Sequence, residues 1–268
     1  MKILFAYEHQ YPKYWKDGLW AALNLLEKDG FKIYRWNLLD EEIPNVAGFD
    51  FILGWGAFNS PVHHMMISDI PKYKKPEAKM GLCIGGIAAE PNAMYSYDVL
   101  FYETEWYLPK IMNHRRPVHA FGINTDIYQK IDDAFIIWDW LTVGAFSTWK
   151  RQEKLLKKGG YKLAIGEVQK GNMGESGKII NDLLKGGVMV SDMVEPERLV
   201  FIYNAAERVY IPADINGGGE RSVLEARACG RPVEVEFDNP KLYELTKSPI
   251  WDQFYYFDAL KRGINSCF

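Results

Sequence analysis

Little in this chain invites disulfide or zinc chemistry. Only three of its 268 residues are cysteine (Cys83, Cys229 and Cys267), an odd number set far apart, with no CxxC pair and no neighbouring histidine pair. A disulfide framework or a zinc site is therefore not expected, and a reducing cytoplasm is the expected compartment. No apolar run approaches the roughly 20 residues of a membrane helix. The opening MKILFAYEHQYPKYW places charge and tyrosine too early for a secretory leader. An excess of one charge sign is also missing: the net value is −3, which argues against a generally basic nucleic-acid coat. What is present is 48% hydrophobic, 25% charged and 15% aromatic residues, an ordinary globular composition whose aromatic excess suits sugar or base stacking as well as core packing.

The apolar pattern alternates between strand and helix. Short apolar runs at Lys2 to Tyr7, Phe31 to Trp36, Phe49 to Gly54, Met80 to Ile84, Val99 to Tyr102 and Pro117 to Ala120 read as strands of a parallel sheet. Gly18 to Glu27 carries helical spacing and stops at Asp29-Gly30. The pattern then starts again with strands at Trp140 to Gly144, Tyr161 to Ile165, Val188 to Val190, Val209 to Pro212 and Pro232 to Val235. Between them, helices are predicted over Lys150 to Lys158, Ser176 to Leu184, from Pro196 onward and over Glu220 to Cys229. Two successive Rossmann-like α/β units follow from this order, with a linker near Asn124 to Asp139. The expected division is 1–130, 131–248 and an aromatic C-terminal helix within 249–268.

The segment richest in chemistry runs from Ile211 to Glu234, IPADINGGGERSVLEARACGRPVE. Gly217, Gly218 and Gly219 lead into a helix, so backbone N–H groups and the helix N-terminus can approach an anion. Arg221, Ser222 and Glu225 fall within about 100° of one another on that helix. They can present donors to a phosphate and a carboxylate to a ribose diol. The same residues also fit a plain strand-to-helix turn with Glu225 solvated.

This stretch, Pro212 through GGGERSVLE to Gly230-Arg231-Pro232-Val233, resembles the donor-site signature of family 4 glycosyltransferases. Thr142-Val143-Gly144 with Ala145 to Lys150, Leu199 to Ala206, and Ala120 to Asp126 resemble further pieces of that family in the same order, so the likeness spans roughly residues 118 to 235. The resemblance implies the GT-B fold: two Rossmann-like domains facing a cleft, an acceptor-side N-domain, a donor-side domain, and a last helix crossing back to the N-domain. It implies sugar transfer from a UDP- or GDP-sugar to a hydroxyl acceptor with retention, with no metal and no cofactor beyond the donor. By position, Glu225 resembles the glutamate that holds the ribose and Lys150 the lysine that neutralises the diphosphate. Gly217, Gly218, Gly219, Arg221, Ser222 and Val223 form the diphosphate loop. Two departures stand out. Ala145 replaces the family's arginine after Gly144, and Gly217 replaces its first glutamate, eight residues before Glu225. Asn216, Asp214 or Glu220 stands nearest to take over, and Glu220 joins Lys150 as a catalytic candidate. The alternatives are a nucleotide-sugar-binding protein without activity and a sugar-nucleotide epimerase of the same fold.

In the N-terminal half, His63 and His64 follow the glycine-bearing loop Gly54 to Asn59 and are candidate catalytic residues, or else surface histidines. Glu8-His9-Gln10-Tyr11 and Cys83 to Ile87 also follow strand ends, where open α/β sheets bind ligands. His114 and His119 complete the five histidines. Six basic residues between Ser147 and Lys162 (Lys150, Arg151, Lys154, Lys157, Lys158, Lys162), with Arg115 and Arg116, read as a solvated face or as a phosphate track for DNA flanked by Tyr102, Trp106 and Tyr107. The acceptor is accordingly a glycan precursor or a hydroxymethylated DNA base. Two units of about 130 residues are near the minimum for such sheets, which favours an open acceptor surface.

Overall fold

The computed structural model describes residues 1–9, 16–39, 42, 44–57, 69–85, 96–168 and 170–268. Among them, eleven strands form two wholly parallel sheets, each within one of two compact units, Met1–Gly122 with Trp251–Phe268, and Ile123–Ile250.

In the first unit the spatial order is β2 (Lys32–Asn37), β1 (Lys2–Tyr7), β3 (Phe51–Ala57), β4 (Lys79–Gly85), β5 (Val99–Tyr102) and β6 (Pro117–His119). Strand side chains alternate between faces, and here both faces are apolar, as a buried parallel sheet requires. Ile3, Phe5, Tyr7, Phe51, Leu53, Val99 and Phe101 pack on one side with α1 (Gly18–Lys28). On the other, Leu4, Ala6, Ile52, Met80, Leu82 and Leu100 pack with Trp36, with Ile70 of α2 (Ile70–Tyr73) and with Ile111 of α3 (Leu108–Ile111).

The second unit orders its strands β11 (Val233–Val235), β10 (Ala206–Ile211), β7 (Trp138–Val143), β8 (Lys162–Gly166) and β9 (Met189–Asp192). Its helices are α4 (Met173–Lys185), α5 (Pro196–Asn204), α6 (Glu220–Ala228) and α7 (Pro240–Leu245). The chain lays down β7, β8 and β9 in one direction and then returns to place β10 on the far side of β7. The sheet therefore has its topological switch point between β7 and β10, the place where ligands bind beyond the carboxyl ends of strands.

The last helix, α8 (Gln253–Asn265), belongs to the first unit. Its buried residues Tyr256, Ala259, Leu260 and Ile264 recur at helical spacing and pack with Leu19, Leu23 and Leu26 of α1. Asp252 caps it, Oδ1 accepting from Tyr255 N at 2.8 Å. Asp252→Ala removes that cap and is expected to lower stability by about 1 kcal/mol, read as a lower urea midpoint at unchanged slope.

In the second unit the structure differs from the sequence reading in two places. Residues 150–158 are not an α-helix: 3-10 segments at Thr148–Lys150 and Gln152–Lys157 are separated by Arg151, whose φ of 51° is left-handed. The cause lies in the Arg151 side chain, which donates through Nε to Pro212 O at 2.9 Å and forks onto Asp238 with two bonds of 2.7 Å. Helix α7 is additional, although Asn239-Pro240 is a sound start signal: Asn239 Oδ1 accepts from Leu242 N, and proline sits in the first turn.

Candidate functional site

The carboxyl ends of β7, β8 and β10 carry the residues of interest. After β7, Gly144 adopts a φ of 151° and donates to Ile165 O at 2.9 Å. The turn that follows is held rigidly. Gln152 Nε2 donates to Gly144 O and Ala145 O at 3.0 and 2.6 Å, Ser176 Oγ donates to Phe146 O at 2.6 Å, and Thr148 N donates to Glu175 Oε1 at 2.5 Å. These bonds deliver Trp149 and Lys150 to the switch point. After β10, Asp214 N and Trp149 O bond at 2.9 Å, and buried Asn239 donates to Ala213 O and Asp214 O at 3.1 and 2.7 Å. The glycine loop is thus tied both to the β7 turn and to α7.

Each glycine of the loop has a physical reason. A Cβ on Gly217 would collide with the Trp149 carbonyl and stand 2.9 Å from Ala213 Cβ. Gly218 and Gly219 take left-handed φ values of 61° and 118°, where a Cβ is strained. A Cβ on Gly218 would sit 3.5 Å from Lys150 Nζ and 3.3 Å from Glu220 Oε2. Gly218 therefore marks the point where the Lys150 ammonium, the loop backbone and the N-terminus of α6 converge.

Three cations face two carboxylates here. Burial drives the Lys150 ammonium down to about 8, with Glu220 and Glu167 opposing and Arg221 and Lys241 adding repulsion. Among the described residues, that ammonium makes no ion pair and no hydrogen bond. Glu220 behaves differently. Its Oε1 lies 2.7 Å from Lys241 Nζ, the two side chains being 8% and 0% exposed. Burial alone would raise the Glu220 carboxyl, but Lys241 outweighs it and holds the group below the usual range. Glu167, at the end of β8, is pushed up by burial while Arg221 and Lys150 pull it down. Such an arrangement can receive an anion: an unpaired ammonium, a cationic surplus and a helix N-terminus meet at one glycine.

Farther along α6, Glu225 is 7% exposed and accepts from the Tyr203 hydroxyl at 3.1 Å through Oε2. Val223 is fully buried and serves the core. Asp214 Oδ1 accepts from Asn216 N at 2.8 Å, which shapes the turn, and Asn216 is exposed.

The structure thus brings together Lys150, Gly217, Gly218, Gly219, Glu220 and Arg221, with Ser222 and Glu225 one turn on. His63 and His64 lie outside the described residues, as do Gln10, Tyr11, Gly86 and Ile87. His9 N donates to Asn37 Oδ1 at 3.2 Å while Asn37 Nδ2 donates to His9 O at 2.9 Å, a pairing that ties the end of β1 to β2. His114 and His119 are structural: His114 Nε2 bonds Tyr97 O at 2.8 Å, and His119 bonds Tyr255 and Glu103 O.

Three of the six basic residues in the 147–162 run are matched by acids. Arg151 pairs with Asp238, Lys154 with Glu236 at 3.0 Å, and Lys158 with Glu234, so alternate acids at the end of the sheet neutralise successive turns. Lys158 also lies over the rings of Trp140 and Tyr210. Tyr102 and Tyr107, expected as stacking flanks, are 7% and 0% exposed and belong to the core of the first unit.

Sequence reasoning missed Lys241, Glu167 and Tyr203. Glu167 carried a signal, since it directly follows a predicted strand. Lys241 and Tyr203 carried none: a lone lysine reads as solvated and a helical tyrosine as core.

No protein-family model matches this chain, and no curated protein sequence does. Solved structures do. Sucrose-phosphate synthase from Thermosynechococcus elongatus is similar with a TM-score of 0.67 at 14% identity, over 100% of this chain and 90% of that one. HepE of Anabaena, solved with UDP and glucose, gives 0.67 at 10% identity over 99% and 100%. An alpha-glucosyltransferase solved with UDP and a 13-mer DNA gives 0.59 at 11% identity over 100% and 90%. The likeness covers the whole chain, and with the two parallel sheets and the returning C-terminal helix it establishes the GT-B fold.

Proposed function

We propose that the Ile123–Ile250 unit binds the nucleoside diphosphate of a UDP- or GDP-sugar and that the protein transfers the sugar to a hydroxyl acceptor with retention. The observation that carries this reading is the unpaired Lys150 ammonium beside Gly218 at the N-terminus of α6. As the glycosidic bond breaks, negative charge grows on the departing diphosphate. A fixed ammonium and aligned backbone N–H groups favour that charge more in the transition state than in the bound donor, which lowers the barrier. Arg221 adds a second cation, Glu225 takes the ribose, and Glu220 is the buried counter-ion of Lys241 that anchors the start of α6. UDP in two of the similar structures supports the diphosphate reading.

The acceptor in this reading is a saccharide hydroxyl. The alpha-glucosyltransferase was solved with DNA, but Arg151, Lys154 and Lys158 of this chain are already matched by acids. A panel of UDP- and GDP-sugars crossed with oligosaccharide and hydroxymethyl-DNA acceptors tests both points. Turnover on a saccharide is expected to change less than twofold between 50 and 200 mM salt and on Lys157→Ala. A polyanionic acceptor would lose affinity steeply over that range, by about 10³-fold or more for six phosphate contacts. Donor binding without turnover on any acceptor would identify a nucleotide-sugar-binding protein, and donor isomerisation an epimerase; either outcome sinks the transferase reading.

A further inference from the structure

We infer that Tyr203 is a positioning residue for Glu225, fixing its carboxylate to receive a vicinal diol; the inference rests on the ribose reading of Glu225. Tyr203 comes from α5, a different helix from Glu225, and is fully buried. Its ring is braced edge-on by Tyr128, with centroids 6.0 Å apart and planes at 73°. Such a side chain has no freedom to follow its partner, so the partner must conform to it.

A tyrosine has one O–H to give. It goes to Glu225 Oε2 at 3.1 Å. Ser222 and Glu225 are three residues apart and share a face of α6. The Tyr203 bond therefore holds one carboxylate oxygen of Glu225 in place before any ligand arrives. A long, flexible glutamate would otherwise lose rotamer freedom on binding a diol. Here that ordering is built into the fold, which is the physical meaning of preorganisation.

The test uses the full chain and two probes, UDP and 2′,3′-dideoxyuridine diphosphate, titrated into the parent protein, Tyr203→Phe, Glu225→Gln and the double variant. Tyr203→Phe keeps the ring against Tyr128 and removes only the O–H. The expected result is about tenfold weaker UDP binding with dideoxy binding unchanged within twofold. In the double variant the second substitution should add less than twofold. Equal weakening of both probes would mean a merely structural tyrosine, and no weakening of either would mean an idle hydrogen bond; both overturn the inference. If Glu225→Gln discriminates the probes and Tyr203→Phe does not, the positioning role alone falls. If Glu225→Gln does not discriminate them, the ribose reading falls with it.

Discussion

Replacing Lys150 with alanine is expected to lower the rate of sugar transfer by about 10²- to 10³-fold, the typical loss when one preorganised group aimed at developing negative charge is removed. UDP affinity should fall by about tenfold to a hundredfold as well. The pH dependence follows from the burial of this ammonium. Its titration is drawn down to about 8, so the charged form that attracts a diphosphate prevails below that pH and is lost above it. Donor binding and kcat/KM should therefore decline as pH rises through about 8. Lys150→Arg should move that decline to higher pH, because a guanidinium stays charged throughout the range. A pH profile of Lys150→Arg identical to the parent's would place the titrating group elsewhere.

The second large effect is on stability. Lys241→Ala leaves the Glu220 carboxylate, 8% exposed, without the cation 2.7 Å away. Breaking a buried pair from one side costs about 3–5 kcal/mol, so Lys241→Ala should markedly lower the urea midpoint of the Ile123–Ile250 unit. The paired replacement Lys241→Met with Glu220→Gln should recover most of the loss, because neither member of the pair is left charged without the other. The pH sign is fixed by Glu220, whose carboxyl is held below its ordinary value. Its contribution is present above the unfolded value near 4.3 and is lost as pH falls through the folded one. Unfolding of the paired variant should accordingly be less acid-sensitive than that of the parent protein.

Strand placement was legible in the sequence for a simple reason. Parallel strands covered on both faces read as short continuous apolar runs, as Ile3 to Tyr7 and Leu163 to Ile165 do. The glycine loop was legible because Gly218 and Gly219 occupy backbone conformations that other residues resist. The 150–158 segment was misread because its basic, helix-favouring composition yields to tertiary pairing: Arg151 reaches Asp238, 87 positions away, and the backbone turns to allow it. Lys241 escaped notice for the same reason. Its significance comes wholly from Glu220, a residue on another helix that no local pattern links to it. Tyr203 likewise gains its role only when α5 and α6 are packed together.

The central claim, that Lys150 and the loop at 217–219 hold a diphosphate, is tested most directly by titrating UDP calorimetrically at pH 8 in buffers of different ionisation enthalpy. A phosphate beside Lys150 raises its proton affinity, so binding to the parent protein should take up a measurable fraction of a proton at that pH, and Lys150→Ala should bind weakly with no uptake. Equal UDP affinity in the two proteins, with no proton taken up by either, would contradict the account.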